Sequence, residues 1–123
     1  MKKLYLLLLF FAFSVLTIGQ ELNIPAQFLR DENKTIYEAV KTFSQNKWED
    51  NYDMILQEIN GQAQAYVDLI THEKIKSPGY SDIFIAALKK WTEGDVGDMT
   101  NPTTNWKMVL HETNKQLKAK NPY

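Results

Sequence analysis

The feature that most constrains this chain is an amphipathic pattern from Lys47 to His72 that holds one phase straight through a glycine. At 100° per residue, Trp48, Tyr52, Ile55, Ile59, Ala63, Tyr66 and Ile70 fall within about 80° of one another. Leu56 and Val67 flank that stripe, and Asp50, Asp53, Gln57, Gln64 and Asp68 lie opposite. Asn60-Gly61 would ordinarily signal a turn, yet the stripe continues in phase beyond it and Gly61 projects to the polar side. The pattern predicts one helix over 47–72, about 39 Å long at 1.5 Å per residue. Asn46 caps its start, with Glu49 as the reciprocal partner. A helix this long buries its stripe only against other helices, so the feature asks for a helical bundle.

The neighbouring segments answer that demand. Thr35 to Gln45 places Ile36, Ala39, Val40 and Phe43 on one face behind a Thr35–Glu38 capping box. With only a residue or two before the long helix, a tight antiparallel hairpin is expected. Ser77-Pro78 can open a third helix near 80–93, with Tyr80, Ile83, Phe84, Ala87, Leu88 and Trp91 inward and Gly94 as the stop. A fourth, near 102–119, buries Trp106, Val109, Leu110, Thr113 and Leu117. No segment alternates like a strand, and no solenoid repeat is present. The fold class is all-α, a small four-helix bundle with helices near 35–45, 47–72, 80–93 and 102–119. Residues 35–123 form its single domain. Residues 20–34 are an N-terminal segment lying across it, with Pro25 opening at most one helical turn.

Residues 1–19 read as a cleaved signal peptide: Lys2-Lys3, an apolar run from Leu4 to Leu16, then Thr17-Ile18-Gly19. The run is shorter than the roughly 20 residues a membrane span needs, and no second one follows. The expectation is an extracytoplasmic protein, periplasmic or secreted, with no span in the mature chain. Without the leader, 12 basic residues stand against 15 acidic ones, which argues against nucleic-acid binding. The absence of cysteine excludes a disulfide framework, thiol redox chemistry, cysteine-ligated zinc and a lipoprotein anchor.

The search for chemistry is mostly negative. His111-Glu112 opens a zincin motif, but the second histidine is replaced by Lys115, which cannot ligate zinc. His72 and His111 sit on unrelated polar faces. A haem bundle would need a core methionine and a core histidine, and Met54 and Met108 fall outside the main stripes. There is no nucleophile elbow, and no stripe clearly carries an acid. Asp95-Val96-Gly97-Asp98 lacks the ligand alternation of a calcium loop. Asn33-Lys34-Thr35 matches a glycosylation acceptor, but capping explains Thr35 without a sugar. No catalytic, cofactor or metal residue is assigned, and the chain is expected not to be an enzyme.

Two functions from different classes remain. The first is a protein-interaction module, such as an accessory subunit, an inhibitor or a chaperone-like binder. Its candidate partner surface comprises the off-stripe apolar residues Tyr37, Met54, Ile85 and Met108 with the basic flank Lys107, His111 and Lys118. The alternative is a carrier of a small apolar ligand in a pocket lined by Trp48, Tyr52, Tyr66, Phe84, Trp91 and Trp106.

Overall fold

Asparagines set the helix starts. A short carbonyl side chain at the cap position satisfies an otherwise orphaned N–H in the first turn, and four helices use one. Asn23 Oδ1 accepts Ala26 N at 3.0 Å to open α1, Ile24–Glu32. Asn33 Oδ1 accepts Ile36 N at 3.4 Å to open α2, Lys34–Trp48. Asn51 Oδ1 accepts Met54 N at 3.2 Å to open α3, Tyr52–Thr71. Asn105 Oδ1 accepts Met108 N at 3.3 Å to open α5, Trp106–Lys120. Between the last two, α4, Tyr80–Lys90, starts after Gly79 without a side-chain cap. Gly79 has φ +82°, a conformation that disfavours any residue with a Cβ.

The computed structural model describes residues 21–71 and 78–121. Among them every regular element is a helix and no strand occurs, as the all-α expectation requires. The leader expected over 1–19, the helix end at His72 and the Ser77 cap lie outside the described residues. No helix among the described residues is long and apolar enough to cross a membrane.

Helix α2 packs on α3, α3 on α5 and α5 on α4, while α1 lies across α2 and α3. The core runs through this stack as Leu29, Ile36, Val40, Ile59, Leu69, Trp106 and Val109. Asn23 fastens α1 to the middle of α3: its N–H donates to Asn60 Oδ1 at 2.9 Å, and its Nδ2 donates to Asn60 O at 3.1 Å.

The helix through Gly61 is unbroken. Four boundaries differ from expectation. Helix α4 ends at Lys90 rather than 93, with Trp91 N donating to Ala87 O at the cap, so Gly94 lies in the loop beyond the helix. The segment before residue 34 is a nine-residue helix rather than one turn, because Asn23 caps it and Ala26 and Leu29 are buried. Five helices are therefore described where four were expected. Helix α2 runs on to Trp48, and the reversal falls at 49–51, where Glu49 has φ 51°; the working cap is Asn51, not Asn46. Helix α5 starts at 106 rather than 102 because the preceding loop is tied elsewhere. Asn101 Nδ2 donates to the carbonyls of Glu93 and Asp95, both at 3.0 Å, and Asn105 N donates to Trp91 O.

Candidate functional site

Glu58 and Gln62 stand one turn apart on α3 and are 3% and 0% exposed. A carboxylate loses several kcal/mol of hydration on burial, so it is buried only where donors replace the water. Four do so here. Lys47 Nζ, from the last turn of α2, lies 2.6 Å from Oε1, and Trp48 Nε1 donates to the same oxygen at 3.1 Å. Lys107 Nζ, from the first turn of α5, lies 2.6 Å from Oε2, which also accepts Gln62 Nε2 at 3.2 Å. The same Gln62 Nε2 donates to Asn105 Oδ1 at 2.9 Å. Gln62 Oε1 accepts the backbone N–H groups of Trp106 and Lys107 and so closes the start of α5. Three helices meet in one fully bonded polar cluster.

Burial alone pushes the Glu58 carboxyl pKa up. The bonds from Lys107, Lys47, Trp48 and Gln62 outweigh it and bring the value down to about 2. The two lysine side chains remain 42% and 45% exposed, each laying its stem along the surface while its ammonium turns in to the acid. The stem of Lys107 crosses Gly61, where a Cβ would lie 3.2 Å from Lys107 Cδ. Gly61 is thus a close helix approach rather than an open polar position.

Such a carboxylate is a poor proton shuttle. It stays ionised far into acid, and both oxygens already hold two donors. What it supplies is a fixed negative charge that joins the end of α2 to the start of α5. A core stripe does therefore carry an acid, contrary to expectation, and its bonds tie α2, α3 and α5 together.

The other end of α3 is aromatic. Tyr66 and Trp106 pack edge to face with centroids 4.9 Å apart, and Tyr80 Oη donates to Leu69 O at 2.9 Å. Burial pushes the hydroxyls of Tyr66 and Tyr80 up from their usual pKa.

Of the six aromatics expected around a pocket, Tyr66 and Trp106 touch in the core, and Trp48 instead serves Glu58. Phe84 and Trp91 are half-buried, and the Trp91 indole N–H has no partner among the described residues. Tyr52 is 79% exposed, because it opens α3 just past the reversal, where no helix covers it. Two of the open depressions among the described residues are lined by none of the six. One, of about 580 Å³, is bounded by Lys34, Thr35, Glu38, Asp98 and Thr100. The other, of about 470 Å³, is bounded by Phe43, Asn46, Lys47, Glu93, Thr103 and Asn105.

Of the residues expected at a partner surface, Ile85 is 42% exposed and His111 and Lys118 are exposed. Tyr37, Met54 and Met108 are half-buried, and Lys107 belongs to the Glu58 cluster. Besides Ile70, read as inward but 39% exposed, the exposed apolar residues that were missed are Ile24 at 81% and Phe28 at 49%, both on α1. Their i, i+4 spacing on a capped segment was the signal that could have found them. Comparison with protein-family models, curated proteins and solved structures finds no match.

Proposed function

We propose that this chain is an exported, non-enzymatic protein-interaction module, with α1 as its contact element. The observation that carries the reading is the outward pair Ile24 and Phe28, on a short helix whose other face is anchored by buried Ala26 and Leu29. A surface helix ordinarily turns such residues inward. Here the hydrogen bonds between Asn23 and Asn60 hold the helix in place, so the apolar pair is presented rigidly and costs little entropy to engage. Export is supported by the leader pattern of residues 1–19. The carrier reading has less support, since Trp106 and Tyr66 occupy each other's ring surfaces.

A photoreactive amino acid placed at Phe28, and separately at Lys118 as a control, tests this in the extracytoplasmic fraction of the native source. A discrete heterologous adduct from position 28 but not from 118 is the expected result. Equal or absent labelling at both positions would remove the assignment to α1.

A further inference from the structure

Helix α4 carries an apolar run, Ile83 to Leu88, that its neighbours cover on one side only. Tyr80, Ala87 and Leu88 are buried, and Ile83 and Phe84 are half-buried. At 100° per residue the opposite face presents Asp82 and Lys89 on one line, two turns or about 10.5 Å apart. Ile85 and Ala86 straddle that line midway, and all four residues are exposed. Among the described residues neither Asp82 nor Lys89 has an ionic partner, whereas the adjacent Lys90 is taken by Glu112 at 3.3 Å.

The acid and the base stand equally far from the middle of this face, so their pattern is its own complement when reversed. We propose that this face docks on the same face of a second copy of the chain, with the two α4 helices antiparallel across a two-fold axis. That operator places Asp82 of each copy opposite Lys89 of the other, with Ile85 meeting Ile85 on one side of the contact line and Ala86 meeting Ala86 on the other, the isologous arrangement of a symmetric dimer. Ala86 lets the axes approach to about 8 Å, and antiparallel helix dipoles add to the attraction. The contact between two eleven-residue helices is well below the roughly 1,600 Å² of a standard interface, so the dimer is weak and forms at high concentration. The inference rests on the interaction reading only in treating exposed apolar side chains as contact surfaces.

Sedimentation equilibrium of the full mature protein from about 10 μM to about 1 mM, at low salt, reads the association directly. Wild type is expected to dimerise within that range. Asp82→Lys and Lys89→Glu each set like charges face to face twice and should weaken association by at least about tenfold. Mixing the two variants restores both opposite-charge pairs, so the mixture should form a heterodimer that neither forms alone. Both positions are exposed, and circular dichroism checks that each variant keeps its helices. A wild type that stays monomeric to about 1 mM, single variants that associate normally, or a mixture that does not associate would each overturn the proposal. None of these results would alter labelling at Phe28, so failure here is separate from failure of the α1 assignment.

Discussion

The two halves of α3 are held by different physics. Toward its start, Glu58 and Gln62 are fixed by donors at defined distances, from Lys47 and Trp48 on α2 and from Lys107 and the first N–H groups of α5. Toward its end, Tyr66 and Leu69 lie among apolar side chains, Trp106 foremost. Apolar packing is strong but weakly directional. A carboxylate with four donors is costly to bury and accepts one arrangement only. The contrast assigns the stabilising energy to the aromatic half and the register of α2 and α5 to Glu58.

The largest expected effect comes from breaking the aromatic half. Trp106→Ala removes a side chain that is 1% exposed and should cost about 3–5 kcal/mol in urea unfolding, the usual range for a buried large aromatic. A loss below about 1 kcal/mol would show that this half carries little of the energy.

Glu58→Gln breaks the polar half while keeping its shape. The half-exposed lysines can turn to water, so the expected loss at pH 7 is smaller, about 2 kcal/mol. The folded-state pKa of Glu58, about 2, lies below the ordinary 4.5, so folding favours the ionised form. Its stabilisation is complete above about pH 4.5 and is lost as pH falls through about 2. The gap between wild type and Glu58→Gln should therefore narrow across that window in acid-dependent melting. A gap that stays constant with pH would separate the stability of this half from the charge of Glu58.

The smallest effect sharpens the contrast at Gly61. Alanine gains about 1 kcal/mol over glycine in a helix interior, but the new methyl meets the stem of Lys107. Gly61→Ala alone should be near neutral, and the full gain should return in a Lys107→Ala background. Equal gains in both backgrounds would mean the ion pair does not constrain that stem.

Part of this architecture was legible in the hydrophobic pattern: the helical class, a short reversal ahead of the long helix and the continuity through Gly61, although the reversal falls at 49–51 rather than just before 47. The face of α3 was read about 50° away from where it packs. Counting apolar residues centred the stripe toward Ile70 and Tyr52, which are 39% and 79% exposed. The buried face instead centres on Gln62 and takes in Glu58, Ala65 and Leu69. Hydropathy treats a glutamate and a glutamine as surface residues, and only their partners, two lysines and a helix start far along the chain, make their burial favourable. The asparagine caps escaped notice for a related reason: Thr35, Asn46 and Ser77 are equally plausible caps, and only the chain path chooses among them. The Glu58 cluster was not legible as a site because its members come from three helices, with Lys107 49 positions along the chain from Glu58.

A carboxyl-carbon NMR titration of Glu58 in the folded protein tests the central claim most directly. A single midpoint near pH 2 is expected, with the Trp48 indole and Gln62 amide resonances shifting at the same midpoint. A midpoint at or above the ordinary 4.5 would contradict it, since the carboxylate would then be buried without the lysines that define the site.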